Sequence, residues 1–269
     1  MLIRRNNEMP ASWAHPVAAI PFKRFGLSLS SLIIGSIAPD ILYLLPLPVS
    51  AKFGHTMIGL FVFCLPLGII VLWGFHALLK FPLFSLLPTR HQQRIGGIMY
   101  KFHFGPRRHF LVIVLSVFLG SCTHILWDSC THHYGWPVQY ISFLRLPLFQ
   151  TSEGILRLNT VLQHVGTLFG TLLLLYWYFR WLSIAPIGTV PYSCRLSSMM
   201  KWMIAGGIIV LAASIGGFYG YAVFSNISDL RSFRNFLTST AVAVMACLSV
   251  ELFLYSFLWH VVRRKPGSG

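Results

Sequence analysis

Residues 109–132, HFLVIVLSVFLGSCTHILWDSCTH, combine an apolar run long enough to cross a bilayer with polar residues near its end. A membrane-spanning helix needs about 20 predominantly apolar residues. After the first position, the histidines and aspartates of the stretch are confined to its last nine residues. His124 and Asp128 are four positions apart, so both side chains project from one face of a helix. The stretch therefore predicts a transmembrane helix that presents two possible metal ligands near one end.

The composition of the whole chain agrees with a membrane protein. Hydrophobic residues make up 55% of the 269 residues and charged residues only 10%, and the mean hydropathy is +0.69. A water-soluble domain would carry about a quarter charged residues. These values exclude a soluble enzyme, a disordered chain and a coiled coil, and they predict an all-α polytopic membrane helical bundle.

Five to six spans are expected. One segment, residues 27–47, is long enough to cross the bilayer but contains Pro39 in its second half, so we expect it to be bent or broken. Residues 81–107 predict an interfacial helix, and residues 131–160 predict a structured loop. The five uninterrupted apolar segments are about 56–79, 109–130, 161–183, 202–224 and 236–262.

The charges are unbalanced, with 21 Lys and Arg against 6 Asp and Glu and a net charge of +15. The basic residues lie in short clusters between apolar segments, and basic-rich and basic-poor loops alternate along the chain. This pattern follows the positive-inside rule, whereas a nucleic-acid-binding protein would gather them on one solvated face. The bilayer is therefore the expected partner, and nucleic acid is not. Counted over six spans, the pattern predicts both termini in the cytoplasm.

The cysteines are scattered without a CxxC pair, and three of the five lie in apolar runs. We therefore interpret them as small hydrophobic residues and not as a disulfide framework.

Histidines and aspartates from four separate stretches fall at one predicted membrane depth, on the outer side. Ionisable groups in spanning segments are costly and usually functional. A mixture of imidazole and carboxylate ligands suits Zn2+ better than Ca2+ or Mg2+. The residues that meet at this depth are Asp40, His55, His124, Asp128, His132 and His164.

Each of these residues also has a structural explanation. His55 and His164 could cap the starts of helices, and Asp40 could satisfy a helix N-terminus. His124 and Asp128 could instead form a buried hydrogen-bonded pair or a proton relay, as in transporters.

Several of these residues lie in motifs of a known kind. The chain carries AHP at 14–16, GSIAPD at 35–40, GHTMIG at 54–59 and THILWDSCTH at 123–132, followed by His164. In these motifs and their order it resembles a family of bacterial multi-pass membrane proteins, over roughly residues 9–180. That family is similar to the inner-membrane metal-dependent hydrolases described as LexA-binding. More distantly it resembles the zinc-dependent phospholipase C and single-strand nuclease superfamily, which is all-helical and cleaves phosphate esters.

The resemblance implies a set of zinc ligands. One zinc ion would be held by two histidines and two aspartates, and Asp128 would bridge to a second zinc ion that His15 also holds. A third zinc ion would be held by the last two histidines. The implied ligands are therefore His15, Asp40, His55, His124, Asp128, His132 and His164.

The sequence departs from the superfamily pattern at two positions. Trp13 is not the first residue, although the superfamily uses an N-terminal Trp amine as a ligand. Leu168 stands four residues after His164, where the superfamily has a carboxylate, and Glu153 is the acidic residue that could replace it. One or two zinc ions are therefore expected. For His15 to reach the cluster, the segment 27–47 must be re-entrant or bent.

The expected function is that of an integral membrane zinc-dependent hydrolase of a phosphate ester, such as a phospholipid or a polyprenyl phosphate. Asp40 and Asp128 would bridge metals or orient the nucleophile. Arg145 and Arg157 could bind the substrate phosphate, or be ordinary solvated loop charges. The alternatives are a metal or proton transporter, and a structural membrane protein stabilised by a hydrogen-bonded polar cluster.

The resemblance also implies a location and a division of the chain. The protein is expected in the bacterial inner membrane, with its site toward the periplasmic face. Residues 1–185 would form the hydrolase-like membrane domain, and residues 186–265 an additional transmembrane helical pair. Residues 266–269, PGSG, are interpreted as a cloning remnant.

Overall fold

The computed structural model describes residues 12–44, 51–151, 154–224 and 227–263. The protein is 80% helical with almost no strand, so the prediction of an all-α membrane bundle is confirmed. Five helical segments are long and apolar enough to cross a membrane, and they coincide with the five predicted spans. These segments are Met57–Leu86, Arg107–Tyr140, Leu158–Ile184, Ser198–Val223 and Ser232–Val262.

The helices differ widely in length, and several spans are built from consecutive shorter elements. Two π-helical segments, Leu60–Cys64 and Phe75–Leu79, join α4, α5 and α6 into the first span. The α-helices are α1 (Pro16–Ala19), α2 (Leu29–Gly35), α3 (Ile41–Leu44), α4 (Met57–Gly59), α5 (Leu65–Gly74), α6 (Lys80–Leu86), α7 (Thr89–Gly96), α8 (Arg107–Thr131), α9 (Trp136–Tyr140), α10 (Leu158–Ile184), α11 (Ser198–Val223) and α12 (Leu230–Arg263).

The sequence predicts the structure of two connecting regions, 131–160 and 81–107. The region 131–160 is a structured loop, as predicted: it holds α9, a 3-10 turn and an antiparallel hairpin of β1 (Pro147–Thr151) and β2 (Gly154–Arg157). The region 81–107 is not one interfacial helix. The first span continues through α6 to Leu86, and only α7 forms a separate short helix.

The described residues form two compact units. One unit, here called the site unit, comprises the described residues of 11–72 and 103–184, and the other those of 73–102 and 185–263. The boundary expected from the family resemblance at residue 185 stays a prediction.

α8 is the central helix of the site unit, and its buried residues recur every three or four positions. This spacing places them on one face of the helix. In the first half of the helix the side chains on this face are mostly apolar or small. In the second half several of them form hydrogen bonds. It consists of Ile113, Ser116, Val117, Gly120, Ser121, His124, Asp128 and Thr131.

α2 packs against this face with almost no space between the two backbones. A Cβ atom added to Gly35 would lie 2.2 Å from the carbonyl oxygen of Val117, and one added to Gly120 would lie 2.4 Å from the carbonyl oxygen of Leu32. Glycine is therefore required at both positions. The Ser121 hydroxyl donates across the contact to the Gly35 carbonyl at 2.9 Å. The close approach fixes the position of α2 along the axis of α8.

The first apolar segment is re-entrant. The Ser28 amide donates to the Ser116 hydroxyl at 3.0 Å, and the Ser36 carbonyl lies 2.7 Å from Nδ1 of His124. α2 therefore runs parallel to the second half of α8 only. His15, which precedes this segment, lies beside Asp128. The chain thus runs along α8 from Asp128 to Ser116 and then back to the Asp128 end.

Two local features produce this reversal. Gly26 follows the 3-10 helix Ile20–Phe25 with a φ of +80°, a left-handed conformation that glycine adopts readily. On the return, α2 ends at Gly35, and Pro39 lies in a 3-10 turn, Ala38–Asp40, ahead of α3. The predicted interruption at Pro39 is therefore present.

The re-entrant path corrects one expectation from the charge pattern. Six full spans would place the N-terminal segment on the face where α8 begins, beside the basic loop 80–108. Residues 12–15 instead lie at the Asp128 end of α8, because the described residues 27–40 run back to that end.

The other unit has its own core beneath the short helix α7. Phe84, Met99 and Cys194 form its buried apolar cluster. The Gln92 side-chain amide donates to the carbonyl oxygens of Phe84, Ser85 and Cys194, and its oxygen accepts from the Lys201 ammonium at 2.8 Å. All the polar atoms of Gln92 are thus used within the unit. Cys194 and the other four cysteines are free thiols, as predicted.

α11 and α12 form a tightly packed antiparallel pair in the same unit. A Cβ added to Gly216 would lie 2.4 Å from Cγ2 of Val244, and one added to Gly220 would lie 1.9 Å from Oγ1 of Thr240. Small residues allow membrane helices to approach closely in this way.

Candidate metal centre

Four side chains converge at the Asp128 end of α8. Asp40 comes from the 3-10 turn Ala38–Asp40, His55 ends the 3-10 turn Ala51–His55, and His124 and Asp128 lie one turn apart on α8. Each residue offers one ligand atom, a ring nitrogen or a carboxylate oxygen, and these four atoms all lie within 4.8 Å of one another. Asp40, His124 and Asp128 are buried, with His124 fully enclosed, and His55 is half-buried. These four residues could hold a metal ion.

The distances between the four donor atoms fit tetrahedral coordination. A tetrahedral site with metal–ligand bonds of about 2.0–2.2 Å has edges of roughly 3.3–3.6 Å. Five of the six edges have distances between 3.1 and 3.5 Å. They are His55 Nε2 to His124 Nε2 at 3.3 Å, His55 Nε2 to Asp40 Oδ1 at 3.3 Å, His55 Nε2 to Asp128 Oδ2 at 3.2 Å, His124 Nε2 to Asp40 Oδ1 at 3.5 Å and His124 Nε2 to Asp128 Oδ2 at 3.1 Å.

The hydrogen bond on the far side of the His124 ring determines its tautomer. Nδ1 lies 2.7 Å from the Ser36 carbonyl oxygen, which can only accept, so Nδ1 carries a proton. In the neutral ring Nε2 then presents a lone pair to the carboxylate oxygens of Asp40 and Asp128. Metal-ligating histidines commonly donate their other ring N–H to a carbonyl in this way.

A positive charge is needed among these donors. The atoms that meet are two carboxylate oxygens and two ring nitrogens, all of which can offer lone pairs. Protons on both rings would bring two N–H groups together across the 3.3 Å between His55 Nε2 and His124 Nε2. One cation bound by all four donors avoids that repulsion. The donor set therefore fits a divalent metal ion, and its composition suits zinc.

The environment of His55 changes its basicity. Burial by itself would lower the pKa of His55, but hydrogen bonds to Asp128 and Asp40 outweigh it and raise the pKa to about 9. The Nδ1 atom of His55 is buried and has no hydrogen-bond partner among the described residues. In the metal-free protein the ring is therefore protonated at neutral pH.

Asp128 has a second oxygen that faces a different histidine. Oδ1 lies 2.9 Å from Nε2 of His15, whereas Oδ2 faces His55 and His124. The His15 ring also stacks on the His124 ring, with 3.9 Å between centroids. The carboxylate thus connects His15 to the four-residue group, in the bridging position that the family resemblance implies.

His132 lies next to the centre, but the Nε2 atom of its ring contacts Gln163 and not the four-residue group. Nδ1 lies 3.2 Å from the main-chain oxygen of Asp128 and 3.6 Å from its Oδ1. Nε2 lies 3.3 Å from the side-chain nitrogen of Gln163 on α10. His132 is fully buried and does not belong to the four-residue group.

His164 lies apart from the convergent donors. Its side chain is exposed on α10, and Leu168, one turn later, is 63% exposed. Among the described residues, α10 instead contributes Gln163, the neighbour of His164, to this region. Sequence reasoning missed Gln163, because an amide beside a histidine is not a recognisable ligand signal. The angular position of each residue around α10 was the one signal that could have indicated residue 163. The residues of the third zinc site implied by the resemblance therefore do not come together, in line with the expectation of one or two ions.

Four more residues from the sequence analysis can be compared with the structure. Trp13 is 60% exposed, and Glu153 lies outside the described residues. Arg145 and Arg157 are exposed where the hairpin begins and ends, and neither side chain bonds to the described residues of the centre.

Comparison with known proteins identifies a family without a described activity. The sequence model of the family described as "Domain of unknown function (DUF4184)" matches residues 9–257, which is most of the chain. The matched range contains all the residues of the candidate metal centre. No curated protein and no solved structure matches the chain.

Proposed function

We propose that this chain, which belongs to the DUF4184 family, is an integral membrane metal-dependent hydrolase that cleaves a phosphate ester. The observation that carries the proposal is the tetrahedral spacing of Asp40, His55, His124 and Asp128. The resemblance to membrane metal-dependent hydrolases, noted from the motifs, supports the same class of reaction.

Zinc is the proposed metal, in one or two copies. Two imidazole nitrogens and two carboxylate oxygens match zinc ligands, whereas Ca2+ and Mg2+ prefer six or more oxygen ligands. His55 and His124 with the two aspartates would hold the first ion. The remaining oxygen of Asp128 and the ring of His15 are the donors for a second.

The protein's own groups have distinct proposed roles. Zinc held at the centre would take up a water molecule as a further ligand, activate it and polarise a phosphoryl oxygen. The Ser36 carbonyl keeps Nε2 of His124 available to the metal by holding the proton on Nδ1. Asp128 fixes the distance between His15 and the other histidines through its two oxygens. Asp40 and Asp128 are the proposed catalytic carboxylates, which would hold the metal and orient the nucleophile beside it.

The position of the centre favours a lipid substrate such as a phospholipid or polyprenyl phosphate. His55 lies two residues before the first span, and Asp128 lies about one turn before the end of α8. Met57 and Leu126, each two residues from one of these donors, are 74% and 66% exposed and face the surroundings with apolar side chains. A substrate with a hydrocarbon chain could therefore lie against the protein at the depth of the metal.

The charge pattern supports a periplasmic site in the bacterial inner membrane. The basic loop 80–108 leads into the Arg107 end of α8, and the metal donors lie toward the other end. Under the positive-inside rule the loop is cytoplasmic. The centre would then face the periplasm.

Metal analysis of the purified protein is the first test. The proposal predicts stoichiometric zinc in the wild-type protein and none in a His124→Ala, Asp128→Asn double variant that elutes like wild type on size exclusion. Metal-dependent release of phosphate or a phosphorylated headgroup from lipid vesicles should disappear in the same variant. A wild-type protein that binds no transition metal would refute the proposal and leave a structural hydrogen-bonded cluster. Zinc flux into vesicles without hydrolysis would identify a transporter.

A further inference from the structure

With one zinc ion bound, the proposed metal centre does not by itself attract an anion. Asp40 and Asp128 contribute two negative charges, which one divalent ion neutralises. A phosphate ester carries at least one negative charge, so its binding beside a neutral and partly desolvated centre is unfavourable without another cation. His132 does not present its Nε2 atom to a metal, because Gln163 engages it. A cation at the His132 side of the centre would supply the missing charge.

Lys52 is placed to supply it. It lies in the 3-10 turn Ala51–His55, three residues before the proposed ligand His55. The ammonium nitrogen lies over the ring of Tyr134, 5.2 Å from the centroid, and the Tyr134 ring lies 5.2 Å from that of His132. His132 in turn lies 3.6 Å from Asp128.

The turn that carries Lys52 is held rigidly against the centre. A Cβ on Gly54 would lie 2.5 Å from the Pro39 carbonyl oxygen, so the turn packs directly on the backbone that precedes Asp40. The Cys64 thiol donates to the Gly54 carbonyl. Lys52 itself is exposed, so its ammonium group can change contacts while it stays in water.

We propose that Lys52 is the residue that binds the anionic oxygens of the substrate at the mouth of the metal centre. Tyr134 holds the ammonium group by a cation–π contact when no substrate is bound. Substrate binding then exchanges this contact for an ion pair with a phosphate oxygen. The inference deepens the proposed function and rests on it for the identity of the anion as a phosphate ester.

Arg24 offers a matched control. It is also an exposed cation that lies over an aromatic ring, with its guanidinium carbon 4.8 Å from the centroid of Phe25. It lies on the 3-10 helix Ile20–Phe25, ahead of the turn at Gly26, and not at the Asp128 end of α8.

The test uses the full chain in detergent, loaded with zinc and freed of excess metal, with inorganic phosphate as the probe. Isothermal titration calorimetry at low salt should give a phosphate Kd about tenfold weaker for Lys52→Gln than for wild type. Lys52→Arg should stay within about twofold, and Arg24→Gln should match wild type. Added salt should weaken wild-type binding and reduce the difference between wild type and Lys52→Gln.

Two outcomes would overturn the inference: a wild-type protein that loads zinc but does not bind phosphate, and equal phosphate affinity in wild type and Lys52→Gln. If Lys52→Gln fails to load zinc, Tyr134→Leu replaces it. That variant keeps the charge and removes the ring contact, so it should bind phosphate as tightly as wild type or up to about threefold tighter, and a loss of affinity would contradict the exchange of contacts. If wild type binds phosphate through Lys52 but cleaves no phosphate ester, the proposed function fails and the assignment of Lys52 stands.

Discussion

His15 and Asp128 are 113 positions apart in the chain, and Nε2 of one lies 2.9 Å from Oδ1 of the other. The contact is possible only because the segment between His15 and Asp40 enters beside α8 and returns to the same end. A straight crossing would have carried His15 to the far end of α8, away from the other donors. The re-entrant path therefore determines which histidines can serve the centre.

The side of the membrane on which residue 13 lies is a direct test of this path. In a cysteine-free background, Trp13→Cys and Trp136→Cys should react with a membrane-impermeant maleimide from the same side, because both are exposed and adjoin the Asp128 end of α8. Lys101→Cys, just before α8 begins, should react only from the other side. Reaction of Trp13→Cys together with Lys101→Cys would mean that the first segment crosses the bilayer.

The four donor residues should differ from His164 in their effect on metal binding. His124→Ala removes a ligand from a buried group and should weaken zinc binding by about a hundredfold or more. His164→Ala should leave zinc affinity and stoichiometry unchanged, because His164 is exposed and outside the group. Competition with a chelator of known affinity measures both. A loss of zinc in His164→Ala would restore the third site that the family resemblance implied.

Much of this architecture could be predicted from the sequence. The five spans follow from apolar length, and the convergence of Asp40, His55, His124 and Asp128 follows from their position near segment ends. Other features were out of reach because they depend on packing between segments. The contacts of Ser28 with Ser116 and of Ser36 with His124 show that α2 lies along the second half of α8 only.

The same limit explains the choice between neighbouring residues on α10. The sequence favoured His164 as a ligand because histidine binds metals and glutamine rarely does. The rotation of α10 against α8 instead brings Gln163 to His132. A helix places adjacent residues about 100° apart, so a motif that names one position cannot decide which neighbour faces inward.

The glycine contact between α2 and α8 should control both stability and metal binding. Gly120→Ala places a Cβ 2.4 Å from the Leu32 carbonyl oxygen and should destabilise the protein by about 1–3 kcal/mol, because the two backbones must separate. The separation also moves the Ser36 carbonyl from His124, so zinc affinity should fall. Thermal unfolding in detergent and zinc titration measure the two effects.

Gly74→Ala is the control for the glycine substitution. It also lies in an apolar helix, but a Cβ there meets no atom within 4 Å. Alanine should be neutral or stabilising by up to about 1 kcal/mol. Equal behaviour of the two variants would show that α2 and α8 do not approach as closely as described.

The basicity of His55 predicts how zinc binding depends on pH. Hydrogen bonds to Asp128 and Asp40 raise the pKa of His55 to about 9 in the metal-free protein, against the opposing effect of burial. Because this pKa lies above the value of about 6.5 in an unfolded chain, the interaction stabilises the metal-free protein fully below pH 6.5. That stabilisation is lost as the pH rises through 9.

Zinc must displace the same proton in order to bind His55. Between pH 7 and 9 the apparent zinc affinity should therefore rise by up to about tenfold per pH unit, and above pH 9 this dependence should level off. Calorimetry in buffers of different ionisation enthalpy should detect about one proton released from this group at pH 7 and almost none near pH 10. An affinity that is flat from pH 7 to 9 would show that His55 is not protonated before metal binds, or that it is not a ligand. Zinc titration of His55→Ala separates these two cases. The substitution lowers the zinc affinity if His55 is a ligand and leaves it unchanged if His55 is not.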